Sequence, residues 1–205
     1  LGKTTFYDLP IKIEPGVFRP YPETEALIEP ATSYFQERHP ERILDLGTGT
    51  GCLLLALLHI FPDATGVGID NDPRAVKLAQ VNADALGMGQ RTAFRIGDWS
   101  SDLTETFDLI VSNPPRVPTR KISSLLPEMR EHDPVRAYDG GADGLDYFRK
   151  LAEDFGRIAT PGGFGAFQVS DASAVKGLFE EAGHPGAQVE LNYLGIPCAV
   201  SVVRR

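Results

Sequence analysis

Cysteine is scarce: the 205 residues hold two, Cys52 and Cys198. They stand far apart and in no C-x-x-C pattern. That excludes a disulfide framework and a metal site of the usual ligand spacing, and suits reduced thiols in a cytoplasmic protein. Long apolar runs are missing too. The longest, Cys52 to Leu58, is far too short to cross a bilayer, so no membrane association is expected. No signal-peptide pattern opens the chain. It begins at Leu1 rather than Met, which leaves room for a preceding segment. Positive charge is in deficit, with 20 Lys and Arg against 28 Asp and Glu and a net charge of −8. Binding to nucleic-acid phosphates normally needs a basic face. Arg204-Arg205 is too small a cluster to supply one, so composition weighs against nucleic acid as a partner.

What is present is an ordinary globular composition, 42% hydrophobic and 23% charged, on a chain long enough for a sizeable core. There is no internal repeat and no low-complexity tract. The first residues alternate loosely through Phe6, Leu9, Ile11, Ile13 and Val17 and read as a short hairpin or cap. Residues 23–38 read as a helix with Leu27, Ala31, Tyr34 and Phe35 on one face, kinked at Pro30. Residues 1–40 are expected to cap a catalytic domain spanning 41–205.

Strands and helices then alternate. Strands are expected at Arg42–Leu46, Thr65–Asp70, Arg91–Ile96, Phe107–Ser112 and Phe164–Val169. Helices are expected at Gly51–Phe61, after an Asp72 N-cap with Pro73 at N1 and ending at Gly87, at Leu145–Ile158 and at Ala172–Ala182. Pro161-Gly162-Gly163 reads as a turn, and residues 113–144 as a long irregular stretch of the kind that carries function. Val189–Tyr193 and Cys198–Val203 form a closing hairpin. Regular βαβα order predicts a mostly parallel seven-stranded α/β sheet with an antiparallel C-terminal hairpin. Ligands of such sheets bind beyond the strands' carboxyl ends. Asp45, Asp70, Ile96 and Ser112 stand at such ends, so the loops after them should share one crevice.

Leu44-Asp45-Leu46-Gly47-Thr48-Gly49-Thr50-Gly51 lies between a strand and a helix. A plain strand–helix turn would use glycine this way, as would a nucleotide-type cofactor site. A dinucleotide site needs G-x-G-x-x-G. Here the spacing is G-x-G-x-G, with Cys52 where the third glycine would fall. The Asp45 carboxylate would repel a pyrophosphate and suits the cationic amino acid end of S-adenosylmethionine (SAM). Asp70 can accept ribose hydroxyls, with Asn71 beside it, in SAM as in a dinucleotide. Asp98 and Trp99 suit an adenine amino group and an apolar wall, or else a turn residue and a core residue.

Asn113-Pro114-Pro115 follows an apolar strand. Proline has no N–H and a fixed φ, so two in a row leave a stiff backbone whose carbonyls only accept. The Asn113 side-chain oxygen and the Pro114 carbonyl can then clamp an –NH2 group. By itself Asn-Pro-Pro is common turn chemistry. At the end of the fourth strand, behind a SAM-type loop, it reads as the chemical site.

Four stretches together resemble the HemK/PrmC-type N5-glutamine methyltransferases, over about residues 6–203. Gly16 to Glu25 resembles the family's "IPRPETE" segment, Leu44 to Gly51 its SAM loop, and Ser112 to Pro115 its "SNPPY". His132-Asp133-Pro134 followed by Gly140-Gly141-Ala142-Asp143-Gly144-Leu145 resembles its "EP…GG-x-DGL" loop. The glycine loop is generic to SAM-dependent methyltransferases; the first and last stretches are far more specific. The resemblance implies a Rossmann-like fold, SAM as cofactor, and methylation of a glutamine amide in a peptide chain release factor. Two positions depart from it. Arg116 stands where the family usually has Tyr, and Tyr21 where it usually has Arg. The family's N-terminal helical domain is also absent from these residues.

The implied chemistry is an in-line methyl transfer from a sulfonium to nitrogen. A carboxamide nitrogen is a poor nucleophile, so it must be positioned, with Asn113 and Pro114 accepting its two N–H bonds and stabilising the developing charge. Pro115, Arg116, Tyr21 and Glu23 are expected to border the substrate. Tyr21 and Arg116 read either as two independent surface changes with solvated side chains or as an exchange that keeps one aromatic and one cation in the same wall, where they could stack. No general base is evident; His132 reads as a solvated loop histidine. A small-molecule amide or amine is the alternative acceptor. A nucleic-acid amino-methyltransferase would use the same Asn-Pro-Pro logic, and a SAM-binding module without catalysis would explain Arg116.

Overall fold

The computed structural model describes residues 2–127, 129 and 133–205. The chain opens with β1 (Lys3–Phe6) and β2 (Leu9–Lys12), an antiparallel hairpin turned by Tyr7 and Asp8 at φ 47° and 60°. Positive φ at both central residues matches the strands' twist. Next come α1 (Ile28–Tyr34), β3 (Arg42–Leu46), α2 (Cys52–Ile60), β4 (Thr65–Asp70), α3 (Pro73–Ala85), β5 (Thr92–Ile96) and β6 (Phe107–Ser112). Then follow α4 (Asp146–Ile158), β7 (Ala159–Gln168), α5 (Ala172–Glu181), β8 (Gln188–Leu191) and β9 (Pro197–Val203).

Seven strands pair in the order β5-β4-β3-β6-β7-β9-β8. Pairs from β5 to β7 are parallel; β9 is antiparallel to both β7 and β8. Chain order reverses between β3 and β6, so a crevice opens beyond their carboxyl ends. Alternation of side chains splits the core into two layers. Ile43, Leu109 and Val111 face α2, which is buried from Cys52 to Leu58, and the N-terminal Phe6, Leu27 and Phe35 join that layer. Leu44, Leu46 and Ile110 face α4 and α5. α4 buries Phe148, Leu151, Ala152, Phe155 and Ile158, a helical stripe. Each large apolar side chain so buried contributes roughly 1.5–3 kcal/mol. No helix among the described residues is long and apolar enough to cross a membrane.

Two expectations are corrected. Residues 23–38 are not one helix kinked at Pro30. Pro22–Leu27 is a 3-10 helix, α1 is short, and Pro30 sits in its first turn, where a missing N–H costs nothing. Pro161-Gly162-Gly163 does not precede β7 but bulges from it. Ala159 already pairs with Phe107, and pairing resumes at Leu109 with Phe164. Gly162 and Arg204 keep the bulge on the sheet through Gly162 N–H to the Arg204 carbonyl, 2.8 Å.

Candidate active site

The glycine loop is moulded onto the end of β4. Gly47, Gly49 and Gly51 have φ of 74°, 54° and 79°, a region that favours glycine. The N–H groups of Gly47 and Thr48 donate to the Ile69 carbonyl at 2.8 and 3.0 Å. Gly49 N–H donates to Asp70 Oδ2 at 2.9 Å, and Asp72 N–H to Asp70 Oδ1 at 2.9 Å. These bonds fix the Asp70 carboxylate at the rim of the crevice. Its pKa is nevertheless raised, because burial outweighs the two backbone donors.

Asp45 lies deeper, buried and accepting the Thr48 hydroxyl at 2.8 Å. Burial first, and the charge of Asp70 second, lift its carboxyl to about 7, with the Thr48 bond opposing. Thr50 also lines the crevice, and its hydroxyl is buried without a hydrogen-bond partner among the described residues. Beyond β5, Trp99 adopts φ 56° and leans on Tyr147 of α4, ring centroids 4.5 Å apart. The crevice holds a cavity of about 110 Å3 that opens to solvent.

The opposite wall carries Asn113. Ser112 Oγ donates to the Leu46 carbonyl at 2.6 Å and locks the end of β6 to the end of β3. Asn113 Nδ2 donates to Thr24 Oγ1 at 2.9 Å, which orients the amide and turns Oδ1 to its other side. Arg116 takes that oxygen. Its Nη1 donates to Asn113 Oδ1 at 2.5 Å and to the Pro114 carbonyl at 3.3 Å. One nitrogen thus reaches both acceptors. Burial lowers the Arg116 pKa, the charge of Glu23 opposing, and a guanidinium stays protonated regardless.

Glycines explain how Arg116 is held. A Cβ on Gly140 would lie 2.8 Å from the Arg116 Cα, and one on Gly144 2.6 Å from its carbonyl oxygen. The Gly-Gly-x-Asp-Gly stretch is therefore packed backbone to backbone against the chain after Asn-Pro-Pro. Asp133, its side chain fully buried, accepts the hydroxyls of Tyr21 (2.8 Å) and Tyr138 (2.6 Å) and Nε of Arg19 (3.3 Å). Phe18 packs on both tyrosine rings at 5.3 and 5.4 Å. Burial and the Asp133 acceptor hold the Tyr138 hydroxyl far above its ordinary pKa.

Asp45, Gly47, Thr48, Gly49, Asp70, Asn71, Trp99, Asn113 and Pro115 line one crevice. Others of the expected residues stand elsewhere. Gly51 starts α2 against α3, where a Cβ would meet that of Ala79 at 3.1 Å; its role is packing. Asp98 does not line the crevice, and its exposed carboxylate meets Lys150 Nζ at 3.4 Å. Pro114 is buried and presents only its carbonyl. Glu23 is exposed on a second groove. Tyr21 does not stack on Arg116. Its ring takes Arg19 instead, 5.9 Å from the centroid, and its hydroxyl goes to Asp133. His132 lies outside the described residues.

Phe18 and Thr24, within the Gly16–Glu25 stretch, and Asp72, Arg136 and Tyr147 also line the crevice, a place that the sequence reading does not give them. Burial alone would raise Asp72, but hydrogen bonds from Arg74 and the charges of Arg136 and Arg74 outweigh it and hold it low. Arg136 pairs with Asp72 and so ties the 113–144 stretch to the start of α3.

Residues 9–133 match the family model described as "Methyltransferase small domain". The release factor glutamine methyltransferase of Rhodospirillum rubrum is 45% identical over 185 residues, 89% of this chain and 57% of that one. The protein of the same name from Caulobacter vibrioides is 40% identical over 186 residues, 89% of this chain and 64% of that one. The chain therefore spans less than two thirds of the length of either. Among solved structures, a T. thermophilus 16S rRNA methyltransferase in complex with AdoMet and guanosine superposes with a TM-score of 0.70 at 20% identity. That likeness covers 99% of this chain and 50% of the other.

Proposed function

As the chain belongs to the methyltransferase small domain family, we propose that it is a SAM-dependent N-methyltransferase whose acceptor is a glutamine side-chain amide of a protein, of the peptide chain release factor kind. The crevice suits the cofactor. In this reading Asp70 accepts the ribose hydroxyls, Trp99 and Tyr147 flank the base, and Asp45 with the glycine loop takes the cationic amino acid end. The unpartnered Thr50 hydroxyl offers a further hydrogen bond. When bound, SAM supplies an electrophilic methyl on a sulfonium.

The chain's own groups do the rest. Asn113 Oδ1 and the Pro114 carbonyl take the two N–H bonds of the acceptor and disperse the charge that develops on its nitrogen. Thr24 keeps the Asn113 amide from flipping. The stiff prolyl backbone keeps the second acceptor in place, so little reorganisation is needed at the moment of transfer. The observation that carries the reading is the Arg116 Nη1 contact with both acceptors, since an amide nitrogen must make the same pair of bonds. It also means that Arg116 must leave before an acceptor enters. The names of the relatives support a release factor as partner.

One observation favours a second acceptor class, a small amide or amine bearing an acid. Arg116 forms no ion pair among the described residues, so its guanidinium could hold a carboxylate. The test is incubation with labelled SAM, release factors and free amides, read by mass spectrometry. Label on a glutamine of a release factor is expected. Label only on small acidic amides would transfer the proposal to the second class.

A further inference from the structure

A second groove lies between the Pro22–Tyr34 segment and the β8–β9 hairpin. Glu23, Glu25, Glu29 and Glu190 line it, and no Lys or Arg among the described residues does. None of the four is in an ion pair among the described residues, although eleven ion pairs are found elsewhere. Gln168 lines the same groove, is 6% exposed, and its side-chain oxygen is buried without a hydrogen-bond partner among the described residues. At the hairpin, Leu191, Tyr193 and Leu194 are 57%, 94% and 64% exposed.

The groove adjoins the clamp. Phe167 pairs with Ser112, so Gln168 stands level with Asn113. Glu23 precedes Thr24, which holds the Asn113 amide. The groove and the clamp are therefore neighbours across β6 and β7.

We infer that the groove docks a cationic, leucine-anchored polypeptide segment of the methyl-accepting protein, an inference that rests on the amide-methylation reading. Unpaired carboxylates of one sign attract a basic segment and repel a phosphate backbone. The unmet Gln168 acceptor suits an N–H or ammonium donor, since a buried unsatisfied group gains most from a partner. The exposed leucines and Tyr193 suit an apolar anchor.

The probes are a lysine-rich peptide carrying one leucine and one glutamine, its glutamate-rich counterpart, and an RNA oligonucleotide. The protein is used as it stands, beside Glu29→Lys and the double variant Glu25→Gln, Glu29→Gln. Unchanged SAM affinity in the variants shows that they fold. The lysine-rich peptide is expected to bind, to weaken with salt, and to lose ~10-fold in affinity in Glu29→Lys. Where methyl is transferred, KM should rise while kcat holds. Equal binding of both peptides, unchanged affinity in both variants, or preference for the RNA would overturn the inference. Binding that the variants lose, without transfer by the unsubstituted chain, keeps the groove and sinks the amide reaction. Transfer with one KM throughout sinks the groove and leaves the reaction.

Discussion

Burial lifts the Asp45 carboxyl from 3.8 to about 7, and a pH dependence follows. Between those values the folded chain holds a proton that the unfolded chain has released. Stability from this group therefore falls as pH rises from about 4 to 7 and is level above. A cationic ligand needs the carboxylate, so SAM affinity should rise toward pH 7, at most ~10-fold per unit, and then flatten. Calorimetry across pH checks this; Asp45→Asn should abolish the slope, and a slope surviving in that variant would move the cation site elsewhere. Arg116 supplies a second prediction. It fills the acceptors that an amide needs, and breaking its two bonds costs on the order of 1–3 kcal/mol. Arg116→Tyr should raise kcat/KM on a neutral glutamine peptide by ~10-fold or more, with SAM affinity unchanged. A fall instead would assign the guanidinium to an anionic group of the substrate. Asp45, Asp70 and Asn113 were legible because a polar residue closing a buried strand has little other reason to be there. The partners of Arg116 and Tyr21 were not. Two bonds to Asn113 and Pro114 and the buried Asp133 decide them, and sequence spacing carries neither.

Elements were legible where burial dictates them. β3, β4 and β6 fall where the apolar runs Arg42–Leu46, Thr65–Asp70 and Phe107–Ser112 place them. The Asp72 cap, accepting Arg74 N–H at 3.0 Å, starts α3 as its Asp-Pro signature requires. The Pro22–Leu27 segment was not legible. Its apolar spacing is helical, yet Thr24 is buried to hold Asn113, and a tighter 3-10 turn satisfies that bond. The bulge at Pro161–Gly163 was missed for a similar reason, since its pairing with Arg204 is long-range. The 140–144 loop yields a prediction at this scale. Gly144 has φ 86° and no room for a Cβ beside the Arg116 carbonyl. Gly144→Ala should cost about 1–3 kcal/mol of stability. It should also lower kcat more than SAM affinity, because it displaces the backbone behind the clamp. Chemical denaturation and steady-state kinetics check both; an unaltered midpoint would show that the loop is not under this constraint.

On the scale of the whole molecule, a net charge of −8 gathers into a meaningful pattern. The crevice is lined by Asp45 and Asp70, and the second groove by four carboxylates that form no ion pair among the described residues. The crevice lies beyond the carboxyl ends of β3 and β6, where chain order reverses, and the groove lies along the β7, β9 and β8 edge. The sheet order followed from βαβα alternation; the second groove did not, since it forms between segments more than 150 residues apart in sequence, as Glu29 and Glu190 do. The central claim is that Asn113 and Pro114 hold a glutamine amide for methylation. Its most direct test is a single-turnover measurement with saturating labelled SAM and a release factor, comparing the unsubstituted chain with Asn113→Ala. The account predicts label on one glutamine amide, and in the variant a rate lower by ~10²-fold or more with SAM affinity within a few-fold. Transfer to glutamine at an equal rate in the two proteins would contradict it.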